Sequence, residues 1–228
     1  MTTIEELFDR GTDGRCHKWR HYFEIYERYF RKFVNTDCTF LEIGVQRGGF
    51  QKIMQEYLGS QARLIGVDVD PECARLVEEG LEIYIGDQAD ADFMDFLARE
   101  RGPFDIILDD GGHTADQQLV SFFSLFPALR EGGIYLVEDL HAPSFWHGYQ
   151  DSRYGINFHD FAKGLTEKLS LFHIDQRSFN RYHEPYAQRQ GAVRVNNFAA
   201  NEIFAIHFYD SVIAIEKRLR IEPLSERK

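Results

Sequence analysis

A regular alternation of short apolar runs and amphipathic segments between residues 39 and 139 constrains the fold of this chain more than any other feature. Each apolar run closes on an acidic residue, as expected for a buried parallel strand that ends at a polar edge of its sheet. The runs are TFLEIGV, RLIGVDV, LEIYIGD, FDIILDD and GIYLVED. The segments between them have helical spacing and lie near 49–58, 71–79, 90–100 and 115–130. This alternation predicts an α/β fold with a parallel sheet, right-handed crossovers and helices on both faces.

The segments on either side of this core have different patterns. Near the N-terminus, aromatic residues recur at spacings of three and four, which predicts a helix over 16–34 with one face packed on a core. These aromatic residues are Phe23, Tyr26, Phe30 and Phe33. Near the C-terminus, NEIFAIHFYDSVIAIEK holds two β-rich runs around a turn and predicts an antiparallel hairpin over 201–217. Between the core and this hairpin, residues 151–200 begin with a predicted helix over 156–169 and continue as a long irregular connection.

Composition and charge argue against several classes of partner. The chain carries 37 Asp and Glu against 26 Lys and Arg, a net charge of −11, so its surface should repel a nucleic-acid backbone. No apolar run approaches the ~20 residues of a membrane span, and MTTIEELFDR at the start holds acids where a signal peptide needs cations. Cys16, Cys38 and Cys73 form no CxxC pair and fit a reducing compartment. We therefore expect a cytoplasmic protein with a small-molecule ligand, and a homo-oligomer is compatible with these features.

Three strand ends carry residues suited to a nucleoside. In an open parallel sheet, ligands bind beyond the carboxyl ends of the strands. After the first strand, Glu42 begins a turn in which Gly44 and Gly48 let the backbone pass close to a ligand. Asp68 ends the second strand 24 residues beyond Gly44, an offset that suits a carboxylate bound to ribose hydroxyls. The third strand ends in GDQ at 86–88, where an acid or an amide can pair with an adenine amino group.

The glycine pattern and the acidity of this edge indicate which nucleoside binds. A dinucleotide site favours GxGxxG, but Glu42 stands at the position of its first glycine. An acidic cleft suits S-adenosylmethionine, whose sulfonium is a cation. Five alternating strands followed by two closing strands resemble class I S-adenosylmethionine-dependent methyltransferases over roughly 39–217, which implies a Rossmann-like, mostly parallel seven-stranded sheet with an antiparallel C-terminal hairpin. The predicted cofactor-binding residues are Glu42, Gly44, Gly48, Asp68, Asp87, Gln88 and Asp109.

Two further strand ends carry acids and a histidine. LDDGGH at 108–113 and VEDL at 137–140 end neighbouring strands, so their polar side chains should lie in one small region. Carboxylates that lie so near to one another raise one another's pKa unless a cation neutralises them. One acid alone would indicate a helix cap or a partner of an arginine. The whole set, without cysteine ligands, favours Mg²⁺ or a similar hard ion, and it comprises Asp109, Asp110, His113, Glu138 and Asp139.

Taken together, the motifs resemble the metal-dependent sugar O-methyltransferases that tailor macrolides and related glycosides. The resemblance rests on LEIGVQRGG, GDQ, DDGGH, GGIYLVEDLH and HFYDS, with HYFEIYERYF as the upstream helix. It implies that Asp110, Glu138 and Asp139 hold the metal and that His113 is the general base. A neutral imidazole can take a hydroxyl proton near neutral pH, because its ordinary pKa is about 6.5. His141, directly after the VEDL motif, is the alternative base.

The sequence thus predicts a Mg²⁺-assisted O-methyltransferase that acts on a hydroxyl of a sugar, a glycoside or another small polyhydroxylated acceptor. A catechol acceptor is one alternative, because the same chelation applies, and a non-catalytic nucleotide-binding scaffold is another. The DDGGH motif and the acidic pair argue against the scaffold, because a non-catalytic protein does not need a general base beside a metal ion. We expect residues 177–200 to close over the acceptor. The predicted single domain over 1–228 comprises an N-terminal helical segment (1–37), a cofactor-binding half (39–139), an acceptor-side insertion (151–200) and a closing hairpin (201–217).

Overall fold

Seven strands of the described part of the chain form a central sheet. The computed structural model describes residues 2–11, 13–150, 152–170 and 201–221. The strands in these residues are β1 (Thr39–Ile43), β2 (Arg63–Asp68), β3 (Glu82–Ile85), β4 (Phe104–Asp109), β5 (Leu129–Val137), β6 (Ile203–Phe208) and β7 (Ile213–Lys217). They make one sheet in the order β3-β2-β1-β4-β5-β7-β6.

The pairing of the strands confirms the predicted fold class. β1 to β5 run parallel to one another. β7 lies antiparallel to β5, and β6 and β7 form an antiparallel hairpin. Side chains along the central strands alternate between two apolar clusters, so that Phe40 packs into one and Leu41 into the other. Both faces of the sheet are therefore buried, which explains the continuous apolar runs in the sequence.

Helices cover the two faces. They are α1 (Ile4–Asp9), α2 (Tyr22–Phe30), α3 (Gly49–Leu58), α4 (Ala91–Arg101), α5 (Ala115–Leu125), α6 (His141–Phe145) and α7 (Phe158–Lys168). Side chains of α1, α2 and α3 belong to one apolar cluster, and those of α4, α5 and α7 belong to the other. Phe23, Tyr26 and Phe30 are fully buried, as their spacing predicts, and Phe33 is half-buried at the margin of the same cluster.

Two predicted helices are too long. α2 begins at Tyr22 rather than at residue 16, because the preceding stretch is irregular and carries the side chain of Lys18 into the interior. The helix predicted over 115–130 ends at Leu125. Pro127 follows in a 3-10 turn, since proline has no N–H to continue an α-helix, and β5 already begins at Leu129. The segment predicted as helical over 71–79 is a 3-10 turn, Pro71–Val77.

The predictions for the C-terminal half are tested in part. α7 matches the helix predicted over 156–169, and β6 with β7 matches the closing hairpin. The expected acceptor-side role of 151–200 stays a prediction, because residues 171–200 lie outside the described residues, as does the segment expected to close over the acceptor. No helix in the described part of the chain has the length and apolar character needed to cross a membrane.

Candidate active site

A cleft opens at the carboxyl edge of the sheet, where the order of the strands reverses. β1 pairs with β2 on one side and with β4 on the other, and the helices that follow β1 and β4 pack on opposite faces of the sheet, which leaves a crevice between them. Four of the predicted cofactor-binding residues line this cleft, namely Gly44, Asp68, Asp87 and Gln88. Glu42, Gly48 and Asp109 are not among its lining residues.

The turn after β1 approaches the loop after β4 very closely. Gly44 has φ +89°, and a Cβ built on it would lie 2.0 Å from the carbonyl oxygen of Asp110. No side chain fits there, so Gly44 lets the two loops meet at the cleft floor. Gly48 has φ +73° and precedes α3. A Cβ on Gly48 would touch Leu76 and Leu81 at 3.1 Å, so this glycine faces the packed 3-10 turn rather than the cleft.

Asp68 ends β2 at the cleft wall and is already tied to both adjoining loops. Its Oδ2 accepts a hydrogen bond from the Gln46 amide at 2.8 Å, and its Oδ1 accepts one from the Asp70 amide at 2.9 Å. A carboxylate has about four lone-pair sites, so capacity remains for a ligand hydroxyl. These two bonds hold the carboxylate in one orientation before any ligand binds.

The two polar residues after β3 have different surroundings. Asp87 is exposed, and its Oδ1 caps the backbone amide of Ala89 at 2.8 Å. The amide of Gln88 is buried: its Nε2 donates to Asp109 at 2.9 Å, and its Oε1 accepts from the Gly112 amide at 2.8 Å. Gln88 thus holds the loop after β4 against β3, and Asp87 is the side chain left available to a ligand.

Glu42 and Asp109 lie beneath the cleft. Glu42 is 2% exposed, and its Oε2 finds no hydrogen-bond partner among the described residues. Burial raises the pKa of Glu42 to about 8, against the opposing field of Lys18. Burial likewise raises the pKa of Asp109 to about 7, although the hydrogen bond from Gln88 opposes the shift. Both carboxyls support the cleft floor from inside the core.

Two carboxylates and an imidazole meet beside the cleft. Asp110, His113 and Asp139 each place one ligand atom within 4.8 Å of the others. His113 Nε2 lies 3.4 Å from Asp139 Oδ2 and 4.0 Å from Asp110 Oδ1. His113 has φ +60° and Asp139 has φ +52°, a left-handed conformation that costs about 1–3 kcal/mol for residues other than glycine. The surrounding fold therefore imposes this arrangement at a cost in stability.

The surroundings of His113 favour its neutral form. Its side chain is 17% exposed, and burial lowers its pKa below the ordinary value, although Asp110 and Asp139 act in the opposite direction. The neutral ring can accept a proton. The two carboxylates that flank Nε2 would then stabilise the resulting cation.

Glu138 and Asp139 are positioned by tyrosines of α2. Tyr26 donates a short hydrogen bond to Glu138 Oε1, and Tyr22 donates to Asp139 Oδ1 at 2.7 Å. Glu138 is 1% exposed, and burial raises its pKa well above the usual range, an effect that Asp110 increases and that Lys18 and Tyr26 oppose. The spacing of four residues between the tyrosines is the sequence signal for this role, because it puts both on one helix face.

Lys18 brings a buried cation to the same place. Its Nζ lies 2.5 Å from Asp110 Oδ2 and 3.0 Å from Glu138 Oε2, and its side chain is 3% exposed. Burial by itself lowers the pKa of Lys18, but the Asp110 and Glu138 carboxylates raise it above the ordinary value. Lys18 is therefore a fixed positive charge and not a base. Sequence reasoning missed it, because a lysine ahead of an amphipathic helix is typical of a solvated surface.

His141 stands at the rim rather than inside the cluster. Its Nδ1 lies 2.5 Å from Ser211 Oγ, in the turn between β6 and β7. The indole rings of Trp19 and Trp146 contact its imidazole edge-on, with centroids 6.4 and 4.6 Å away, and both are about half-exposed. The rim thus presents aromatic faces next to the carboxylates.

Comparison with known proteins relates the part of the chain that forms this site to a known family. Residues 41–140, which span β1 to the end of β5 and the acidic pair after it, match a family model described as a methyltransferase domain. The chain carries a methyltransferase domain. The methyltransferase resemblance that the motifs indicate is confirmed, and the matched residues include every residue predicted for the cofactor, the metal and the base. Lys18 and the tyrosines of α2 lie upstream of the matched residues, and the alternative base His141 follows directly after them.

Several curated relatives of this methyltransferase domain are O-methyltransferases, and some of their names include a rhamnosyl or olivosyl group. A tetracenomycin 3'-O-methyltransferase from Streptomyces olivaceus, which acts on a rhamnosyl derivative by its name, is 31% identical over 94% of this chain and 53% of its own length. The mycinamicin VI 2''-O-methyltransferase of Micromonospora griseorubida is 36% identical over 84% of this chain and 47% of its own. The chain therefore spans about half the length of the relatives it matches.

A solved structure shows the same fold. The MycE methyltransferase of the mycinamycin biosynthetic pathway, in complex with Mg, SAH and mycinamycin VI, superposes with a TM-score of 0.76 at 25% identity. The match covers 95% of this chain and 54% of that one.

Proposed function

We propose that this methyltransferase domain transfers a methyl group from S-adenosylmethionine to a hydroxyl of a sugar on a small-molecule acceptor, with the assistance of Mg²⁺ or a similar divalent ion. The observation that carries the proposal is the position of Asp110, which lines the cleft and also belongs to the acidic cluster beside it. A methyl donor in the cleft and an acceptor hydroxyl at the cluster would therefore be neighbours.

The cleft residues fit the methyl donor. Gly44 lets the backbone of the loop after β4 form the cleft floor without an intruding side chain, and the oriented Asp68 carboxylate has free acceptor sites for ribose hydroxyls. Asp87 is exposed at the far end, where an adenine amino group could donate to it. The acidic surroundings suit a sulfonium cation.

The acidic cluster fits a hard divalent ion. Mg²⁺ takes oxygen ligands and is often held by only one or two carboxylates, with water and substrate completing its shell. Asp110 and Asp139 belong both to the set implied by the sequence and to the set that the geometry brings together. The sequence adds Glu138 to these two, and the geometry adds His113. When bound, such an ion would lower the pKa of the acceptor hydroxyl.

Side chains of this chain would bind the donor, orient the metal ligands and accept the proton. Asp68 would bind the donor, and Tyr22 would hold Asp139 in place through their 2.7 Å hydrogen bond. His113 Nε2 would take the hydroxyl proton as the new C–O bond forms and the C–S bond to the departing S-adenosylhomocysteine breaks. Asp139 and Asp110 would stabilise the imidazolium. Holding donor and acceptor together would supply much of the rate.

Two features support a sugar as the acceptor. Some relatives act on rhamnosyl or olivosyl compounds by their names, and the half-exposed rings of Trp19 and Trp146 contact His141, just after the acidic pair, where their faces would suit a sugar ring. The predicted contribution of residues 177–200 stays a prediction. A cytoplasmic location and a homo-oligomer likewise remain predictions from composition.

A methyl-transfer screen tests the proposal. Purified protein is incubated with methyl-labelled S-adenosylmethionine and either glycosides or catechols, with Mg²⁺ or with excess chelator. Labelled glycoside that forms only with Mg²⁺ supports the proposal. Transfer to catechols alone would replace the acceptor class, and cofactor binding without any turnover would indicate a scaffold.

A further inference from the structure

A side-chain amide at the start of α5 carries an inference about recognition of the methyl donor, and it rests on the proposed function. We propose that Gln117 is a cofactor-binding residue whose amide donates a hydrogen bond to a ring nitrogen of the adenine of S-adenosylmethionine. Gln117 is not among the residues predicted from the sequence, and it lines the cleft together with Gly111 and Gly112.

The capping box at the N-terminus of α5 fixes the orientation of this amide. Thr114 donates twice to Gln117 Oε1, from its backbone N–H at 3.1 Å and from its hydroxyl at 2.8 Å. A backbone N–H can only donate, so the atom that faces it is the side-chain carbonyl oxygen and the other end of the amide is the NH₂ group. This NH₂ group has no hydrogen-bond partner among the described residues, so its N–H bonds are available to a ligand.

The amide lies against the loop after β4 because Gly112 has no side chain. A Cβ built on Gly112 would lie 2.2 Å from Gln117 Nε2, so a larger residue there would displace the amide. The backbone N–H of Gly112 in turn donates to Gln88 Oε1 at 2.8 Å, and Gln88 directly follows Asp87. Gln117 Nε2 is thus close to the end of the cleft that Asp87 lines, where the proposed function has the adenine amino group.

The hydrogen-bonding pattern of adenine gives the reason for an N–H group at this end. Adenine carries an amino group that donates and ring nitrogens that accept. An ionised Asp87 can only accept, so it suits the amino group alone. Gln88 is buried, and its Nε2 already donates to Asp109 at 2.9 Å and to Ser121 Oγ at 3.2 Å. Gln117 therefore supplies the side-chain N–H that a ring nitrogen needs and that Asp87 and Gln88 do not offer.

A capping role alone would not require an amide. Glutamate serves as well as glutamine at the third position of a capping box, because the box uses only a side-chain oxygen. Gln117→Glu therefore keeps an oxygen for Thr114 and replaces the NH₂ group by a second acceptor. This one substitution separates adenine recognition from the helix cap.

Calorimetry with S-adenosylhomocysteine compares Gln117→Glu with the unmodified chain. We expect the affinity to fall about tenfold or more, because a ring nitrogen would face a carboxylate oxygen in place of an N–H group. The melting temperature should not change. Gln55→Glu, at an exposed position of α3, adds the same charge and should leave the affinity unchanged. Unchanged affinity in Gln117→Glu would overturn the inference.

Deaza analogues of S-adenosylhomocysteine test whether the contact is with a ring nitrogen. Three analogues, which carry C–H in place of N1, N3 or N7 of the adenine, are titrated into the unmodified chain and into Gln117→Glu. We expect the loss caused by the substitution to disappear with one of them, the analogue that lacks the nitrogen bound by Gln117. An equal loss with S-adenosylhomocysteine and with all three analogues would indicate a general effect on the cleft and refute the inference.

Gln117→Ala keeps the test decisive if Gln117→Glu does not fold. This variant removes the cap oxygen and the NH₂ group together, so it is titrated with the same four ligands. A lost cap would weaken all four alike and refute the inference, whereas a lost N–H group would spare one analogue. If the unmodified chain binds no S-adenosylhomocysteine, the methyl donor of the proposed function fails and this inference fails with it. If it binds and only the Gln117 variants differ from expectation, the inference alone fails.

Discussion

His113→Ala should separate proton transfer from metal binding. As a general base, His113 would contribute about 10²–10⁴ to the methyl-transfer rate. Its Nε2 sits 3.4 Å from Asp139 Oδ2 and 4.0 Å from Asp110 Oδ1, so the ring contacts both carboxylates without being the only group that orients them. Asp139 keeps its hydrogen bond from Tyr22 in the variant. We therefore expect the rate to fall by that factor, and affinity for Mg²⁺ to change little.

The assay is a single-turnover measurement of methyl transfer with saturating donor and metal, together with calorimetry for Mg²⁺. His141→Ala is the matched control, because this second histidine follows the acidic pair but has its Nδ1 on Ser211. A near-wild-type rate for His113→Ala and a large loss for His141→Ala would refute the assignment of the base. A loss of Mg²⁺ affinity of tenfold or more in His113→Ala would make the ring a ligand instead.

The pH dependence follows from the same environment. Burial lowers the pKa of His113 below its ordinary value of 6.5, and only the neutral ring can accept a proton. The rate should therefore rise with pH through a limb that lies below pH 6.5 and stay level above it. The limb should vanish in His113→Ala, and a limb well above pH 6.5 would contradict the lowered pKa.

Further predictions concern the cleft and the acidic cluster. Asp68→Ala should weaken S-adenosylmethionine binding by about 1.5–3 kcal/mol, measured by calorimetry, because ligand hydroxyls lose a charged partner; unchanged affinity would remove Asp68 from the site. Gly44→Ala should lower the melting temperature and abolish donor binding, since its Cβ would lie 2.0 Å from the Asp110 carbonyl oxygen; a variant that binds the donor normally would contradict this. Tyr22→Phe should weaken Mg²⁺ binding several-fold by freeing Asp139, whereas an unchanged affinity would leave Tyr22 a packing residue only. Exhaustive chelation should abolish turnover while donor binding survives, and activity that persists would exclude a metal.

The alternation of strands and helices could be read from the sequence because it is local. A strand buried on both faces needs a continuous apolar run, and a helix on the sheet needs apolar residues every three or four positions. β1 to β5, the closing hairpin and the helical stretches are predicted on these grounds, and the structure confirms them apart from their ends and from 71–79, which is a 3-10 turn. The placement of acids at the carboxyl edge also follows, because parallel strands all end there.

Tertiary structure alone decided what each of those acids faces. Asp109 and Asp110 are neighbours in the chain, yet Asp109 accepts from Gln88 beneath the cleft while Asp110 accepts from Lys18. Lys18 is separated from Asp110 by 92 residues and from Glu138 by 120. The spacing of residues along the chain does not predict such ion pairs, because they depend on how whole elements pack. The sequence by itself therefore determined the sheet and the acidic edge, and the packing of the N-terminal segment against that edge decided where its buried cation lies.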